Sequence, residues 1–385
     1  MQHGLTEHSH GAGVPLQTRN ERPRSTSIND FPEVSKLQEI WRYLPIEKLG
    51  GLDNDVYSEV SESELQLSLP EGMKVKFVES SIAPIGKAGL PEDRVAAAAW
   101  SNASRTLVVE VEESAEIDQA GFIKLSGTKS GAHALHVVVH AKKFSVATLV
   151  LDHTGQGTLG ENVELILEDG AKLNFVSIQD WAKGSAHVSA QYATVGRDAE
   201  LKHVVVSLGG DLVRITPSVS LNSKGGQVHM FGVYLADSGD YIEHRPYVDH
   251  IAPNCVSRVT YKGALQGKGS HTVWVGDVLI RESATGTDTY ELNRNLLLTD
   301  GARADSVPNL EIETGKIEGA GHASASGRFD DEQLFYLQSR GISEHDARRL
   351  VVRGFLNEVI QKIGIEEVEN RLREAIELDL ERTGA

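Results

Sequence analysis

Residues 171–236 read AKLNFVSIQDWAKGSAHVSAQYATVGRDAELKHVVVSLGGDLVRITPSVSLNSKGGQVHMFGVYLA. Within this stretch a polar turn gives way three times to the same opening. The three are Ala171-Lys172-Leu173, Ala199-Glu200-Leu201 and Gly226-Gln227-Val228, spaced 28 and then 27 residues apart. Each opens a short apolar run rich in β-branched residues, the pattern of a strand bounded by turn residues. Strand-sized units recurring at this period predict a solenoid whose rungs stack and hydrogen-bond in parallel. An antiparallel sandwich or barrel is the other architecture such runs allow.

Working outward, similar runs extend from about Arg105 to Ile317: Leu107–Val109, Leu135–Val139, Ala147–Leu151, Val163–Leu167, Leu173–Ile178, Leu201–Leu208, Val228–Leu235 and Val273–Ile280. No convincing helix of ten or more residues interrupts them, which argues against a doubly wound βαβ sheet. The chain has 385 residues, enough for two or three domains or one long repetitive body with appendages. Only 6% of residues are aromatic, which suits a narrow interior filled by Val, Ile, Leu and Ala.

The flanks differ. Residues 1–30 are polar and without period, and are expected to be a disordered tail. His3, His8 and His10 fall within it and read as solvated. From Phe31 to Leu52 a helical apolar pattern runs through Val34, Leu37, Ile40 and Trp41 until Pro45 and Gly50-Gly51 interrupt it. A Ser-, Glu- and Pro-rich linker to about residue 95 carries one expected strand at Met73–Val78. Beyond Arg328 three amphipathic helices are expected. Leu334, Phe335 and Leu337 mark the first, ended by Gly341. Ser343 caps the second, which carries Ala347, Leu350, Val351 and Phe355, and Ile365, Val368, Leu372 and Ile376 form the stripe of the third.

Composition and motifs narrow the chemistry. With 38 basic against 55 acidic residues the net charge is −17, which opposes nucleic-acid binding. No apolar run is long enough to span a membrane and no signal-peptide pattern opens the chain, so a cytoplasmic protein is expected. One cysteine permits neither an internal disulfide nor a self-contained metal site built from four thiolates. The closest approach to a phosphate-binding loop, Gly127-Thr128-Lys129-Ser130, has Thr where Lys is needed. Glu243-His244-Arg245 with Asp249-His250 could serve acid–base chemistry, but reads first as a hydrogen-bonded turn. Cys255 reads as a small buried hydrophobe. His322, in Gly319-Ala320-Gly321-His322-Ala323-Ser324, stands among small neighbours that leave room for another chain or an ion.

Several stretches together resemble the SufB/SufD family of iron–sulfur cluster assembly scaffolds, its SufD branch more closely. They are Asn293–Leu298, Asp300–Ile312, Asp331–Leu337, Ser339–Ile342, Ala347-Arg348 and Val351–Phe355, with Trp41-Arg42-Tyr43, Tyr261-Lys262-Gly263 and Val275-Gly276 upstream. The resemblance implies a right-handed parallel β-helix core at residues 96–327, an N-terminal helical region and linker at 31–95, and a C-terminal helical domain at 328–385. It implies a non-enzymatic subunit that pairs through its β-helix edge with a SufB-like subunit or a second copy, and docks a SufC-like ATPase through the C-terminal helices. His322 matches a family histidine held to be a ligand of a cluster assembled between subunits, so iron or a transient Fe–S cluster is expected there, with no cofactor held stably by the isolated chain. Many SufD chains carry Cys two residues earlier, where this one has Ala320, so soft ligands would come from the partner. A polysaccharide-active β-helix enzyme and a homodimeric structural scaffold are the competing readings.

Overall fold

A computed structural model describes Arg19 and residues 22–328 and 331–383. Strands β1 (Ser58–Glu59), β2 (Leu65–Ser68) and β3 (Met73–Glu79) and helix α1 (Arg94–Asn102) come first. The chain then winds between two sheets: β4 (Arg105–Val111), β5 (Gly121–Ser126), β6 (Ala132–Ala141), β7 (Val146–Gly155), β8 (Thr158–Leu167), β9 (Lys172–Trp181) and β10 (Ala186–Val195). It continues as β11 (Glu200–Gly209), β12 (Leu212–Leu221), β13 (Gln227–Ala236) and a broken strand, β14 (Tyr241–His244) and β15 (Tyr247–His250). The last turns are β16 (Val256–Leu265), β17 (His271–Ile280), β18 (Asp288–Leu297), β19 (Arg303–Ile312) and β20 (Gly319–Arg328). Helices α2 (Asp331–Ser339), α3 (Glu344–Ile360) and α4 (Glu366–Thr383) follow.

The first sheet stacks β4, β6, β8, β10, β12, β14/β15, β17 and β19, and the second stacks β5, β7, β9, β11, β13, β16, β18 and β20, all in parallel. This is the solenoid expected from the repeat. Lys172 pairs with Glu200 and Glu200 with Gln227, the positions that the three opening triplets align. The turns explain the glycine and Asp/Asn punctuation. Two residues before successive strands of the second sheet the backbone is left-handed, at Phe144, Gly170, Asp198, Gly225, Asn254 and Gly286. Gly170 needs its missing side chain twice over, since a Cβ there would also lie 2.5 Å from the Phe144 ring.

Parallel register stacks equivalent residues, so the inward file of each strand decides what its neighbours can be. Over the first turns that file is Val, Leu and Ala. Farther along, bulk is accommodated reciprocally. Gly232 on β13 faces the Tyr261 ring of β16, and Gly263 on β16 faces the Tyr234 ring of β13. Prolines also align. One residue back from Ser218↔Tyr247 and Tyr247↔Asp277 lie Pro217, Pro246 and Gly276, and Gly276 pairs with Pro308. The missing amides thus share one line across the first sheet, at the break between β14 and β15, and beside that line the Arg245 carbonyl accepts from Arg19 Nη1 at 2.9 Å.

The outer faces are covered by the two flanks. The 31–52 segment is not the expected helix; it makes short 3-10 turns at Glu39–Trp41 and Ile46–Lys48. Pro32, Pro45 and the Gly50-Gly51 pair cut it into pieces, and burial of Trp41, Leu44, Leu49 and Leu52 against the first sheet holds it as an extended strap. The strap begins earlier than the sequence suggested. Arg19 is buried, donating from Nη1 to the Arg245 carbonyl at 2.9 Å and from Nη2 to Ser218 Oγ at 2.7 Å, and Ser25 N bonds Pro91 O at 3.0 Å. The rest of the expected disordered tail, residues 1–18, 20 and 21 with His3, His8 and His10, lies outside the described residues. On the second sheet, α3 and α4 bury Val352, Leu356, Ile360, Leu372 and Ile376 against Val176, Val204, Val206 and Val233. The Ser343 side chain caps α3 by accepting from Asp346 N.

Candidate functional site

The stack ends in an uncovered turn. Within the described residues β19 is bonded only to β17 and β20 only to β18, so each leaves one edge open. Their residues are half-buried or exposed, whereas those of the inner strands are mostly buried. An open row of backbone donors and acceptors is a surface built to receive another strand.

The interior changes character just beneath this end. On β18 the inward positions Thr289, Glu291, Asn293 and Asn295 are all buried and all polar, alternating with outward Tyr290 and Arg294. Their amides cross the interior. Tyr234 OH donates to Asn295 Oδ1 at 2.6 Å, and Asn293 Nδ2 donates to the Tyr234 oxygen at 2.8 Å. Ser306 OH on β19 donates to Asn293 Oδ1 at 2.6 Å, and Asn295 Nδ2 reaches Ser326 Oγ on β20 at 3.2 Å. The last turn is therefore tied to the preceding one by a polar lattice instead of an apolar plug.

His322 sits on β20, the last strand of the second sheet. It is exposed and pairs with Glu291. Ala320, two residues before, packs against the interior core, so His322 shares the inward side and stands over the open mouth. Glu291 is 1% exposed, and neither carboxylate oxygen has a hydrogen-bond partner within the described chain. Burial, with a smaller push from the charge of Asp277, raises its carboxyl well above the usual range.

The other polar groups singled out from sequence are held structurally. Glu243-His244-Arg245 is split by strand alternation. Glu243 and Arg245 face the strap, where Tyr241 OH donates to Glu243 at 2.8 Å and Arg245 donates to Glu39 at 2.7 Å. His244 points inward, 3.0 Å from Ser207 Oγ. Asp249 accepts two bonds from Arg281, and His250 lies 2.9 Å from Ser257 Oγ. Cys255 is fully buried, its thiol pushed up by burial and directed at the Ser223 carbonyl, which suits the small-hydrophobe reading and not a reactive thiolate.

Sequence reasoning passed over a buried trio, His153, Glu161 and His187, whose ligand atoms lie within 4.8 Å of one another. Its hydrogen bonds leave little for a metal. His153 Nδ1 is 2.9 Å from the Ile178 carbonyl and Nε2 is 2.9 Å from Glu161, so both nitrogens donate and the ring is a cation. His187 Nδ1 accepts from Trp181 Nε1 at 3.2 Å, which places its proton on Nε2, facing Glu161. Burial disfavours the charge of Glu161 and of both rings, yet the Glu161–His153 pairing prevails for those two. Glu161 is held below the usual carboxylate range and His153 above the usual imidazole range, while burial depresses His187. The trio is an internally neutralised ion pair. From Glu161 the polar contacts run on through Ser189, Gln191 and His203. No composition signal marks this file, because its members are spread over β7, β8, β10 and β11 and meet only through register.

The helical flank offers a second surface. Lys262 donates to the Phe355 carbonyl at 3.1 Å, Asn174 Nδ2 to the Ile363 carbonyl at 3.1 Å, and Arg371 to Asp152 and Asp180 at 2.7 Å each. A groove of about 510 Å3 lies between α4 and the second sheet, lined by Phe122, Val150, Ile178, Val368 and Arg371 among others. Phe335 and Tyr336 of α2 and Leu350 of α3 remain exposed. Among the described residues no helix is long and apolar enough to cross a membrane.

Comparison with known proteins gives a consistent picture. Residues 123–355 match the family model described as SUF system FeS cluster assembly, SufBD core domain. A Mycobacterium tuberculosis protein described as an iron–sulfur cluster assembly SufBD family protein is 49% identical over 366 residues, covering 93% of this chain and 92% of its own length. A Mycobacterium leprae protein of the same description is 47% identical, covering 96% of each chain. The iron–sulfur cluster assembly protein SufD of Escherichia coli is 26% identical over 86% of this chain and 85% of its own.

Proposed function

Because the chain belongs to the SufBD family of iron–sulfur cluster assembly proteins, we propose that it is the SufD-like scaffold subunit of a cluster assembly complex and performs no reaction of its own. Its uncovered terminal turn pairs with a SufB-like subunit, a cluster assembles at that junction with His322 as a ligand, and the C-terminal helices dock a SufC-like ATPase. The observation that carries this reading is an imidazole standing over a polar, unpaired solenoid end. Imidazole suits iron, and with Ala320 nearby and the only cysteine buried, thiolate or sulfide must arrive from the other side of the junction. Exposed Phe335, Tyr336 and Leu350 give the helical flank an apolar surface for the ATPase. Membership in an assembly family favours this scaffold over a polysaccharide-active enzyme.

The test is co-purification with SufB-like and SufC-like partners followed by cluster reconstitution. A ternary complex is expected, and His322→Ala is expected to leave the complex intact while lowering its cluster yield. A chain that ignores both partners, or forms only a dimer with itself, would overturn the assignment. Full cluster yield from the His322→Ala complex would remove the ligand role.

A further inference from the structure

The unpartnered Glu291 carboxyl calls for an explanation. A buried carboxyl with no hydrogen bond costs stability, and chains retain such groups where something else satisfies them. Glu291 lies in register with His322 on the neighbouring strand, and side chains paired across parallel strands stand ~4.8 Å apart on the same face. That spacing lets a carboxylate oxygen and an imidazole nitrogen converge on one ion ~2.1 Å from each. The positions beside Glu291 are polar but committed, since Asn293 and Asn295 bond to Tyr234, Ser306 and Ser326. Glu291 is thus the one inward carboxylate of the last two strands of the second sheet, β18 and β20, and it faces the mouth that His322 overhangs.

From this placement we infer that Glu291 and His322 form a two-ligand site for a divalent first-row metal ion, ferrous iron in the complex, with the remaining coordination positions open toward the partner's edge. The inference rests on the reading of His322 as a ligand and adds to it a second donor, one that makes the site a chelate before any partner arrives. A carboxylate–imidazole pair is a harder donor set than a thiolate site, suited to receiving the iron ion ahead of sulfide. The ion also supplies the partner that the Glu291 oxygens lack among the described residues.

The experiment uses the purified full-length chain and Co2+ alone as an optical and calorimetric probe, repeated anaerobically with Fe2+. One equivalent is expected to bind the wild type. Glu291→Gln and His322→Ala should each weaken binding by roughly tenfold or more, and Asp288→Asn, on the outward face of the same strand, should bind as wild type. Glu291→Gln should also melt at a higher temperature than the wild type in the absence of metal, because it removes an ionisable group from the interior; this separates loss of a ligand from loss of the fold. Wild-type Co2+ affinity in Glu291→Gln, or no binding by the wild type, overturns the inference. If His322→Ala lowers cluster yield in the complex while Glu291→Gln binds Co2+ normally, the scaffold reading stands and the second ligand falls. If both variants bind Co2+ and yield clusters as wild type, both fall.

Discussion

Replacing Gly263 with Ala should damage the stack far more than a single methyl group suggests. A Cβ built on Gly263 lies 1.9 Å from Tyr234 Cε2, 2.3 Å from Cδ2 and 2.5 Å from Cζ, so the ring would have to retreat by more than an ångström. It has nowhere to go, because its hydroxyl is fixed by Asn295 at 2.6 Å and Asn293 at 2.8 Å. Overpacking together with loss of those two hydrogen bonds sets the cost at about 3–5 kcal/mol. Urea unfolding followed by circular dichroism reads it directly. Tyr234→Val in the same chain removes the obstructing ring and should return at least half of the loss, a coupling expected only for groups in contact. A Gly263→Ala protein within about 1 kcal/mol of wild type would refute the reasoning, since the ring would then be free to move and the lattice under the last turn would not be rigid.

Two further outcomes test the interior and the flank. Glu161→Leu strands the His153 cation and should cost about 3–5 kcal/mol near pH 6. His153 is raised by the pairing, so its contribution is complete below its ordinary value of 6.5 and fades as pH climbs through the raised one. Glu161 is depressed, so its contribution is complete above its ordinary value of 4.5 and fades as pH falls through the lowered one. The stability gap between wild type and variant should therefore be widest between those two ordinary values, and a gap independent of pH would contradict the ion pair. Arg371→Ala unties α4 from Asp152 and Asp180, both half-exposed contacts at most, for about 1 kcal/mol. Hydrogen exchange in α4 should then quicken by roughly fivefold with β16 unchanged, and equal rates throughout would show that apolar burial alone seats the helix.

The solenoid was legible because its apolar strands, such as Leu173–Ile178 and Leu201–Leu208, repeat between turn residues, and the three aligned triplets fell on true register positions. Strands β10, β12, β18, β19 and β20 were not legible. On β10, β18, β19 and β20 the inward residues include Gln191, Ser189, Asn293, Asn295, Ser306 and Ser326, which bond to one another and break the hydrophobic alternation, whereas β12 keeps Val213, Ile215, Val219 and Leu221 inside. Pro217 and Pro308 further disguised two of them. The 31–52 strap misled for the opposite reason, since Val34, Leu37, Ile40 and Trp41 have helical spacing while Leu37 ends up almost fully exposed and Trp41 buried. His322 was singled out as an imidazole among small residues. Glu291 could not be: one acid among 55 in an acidic chain carries no mark until register places it inside.

The line of Pro217, Pro246 and Pro308 bears on how such a stack avoids threading itself wrongly. When neighbouring rungs are built from similar Val, Ala and Ser positions, sliding one strand by two residues keeps every side chain on its proper face and is penalised only weakly by packing. Such a slip would move each proline off the common line and part Pro217 from the Arg245 carbonyl, which takes its hydrogen bond from Arg19 and not from an amide. The prolines therefore behave as notches on a key, cut for the one alignment in which a side chain already stands in for the missing donor.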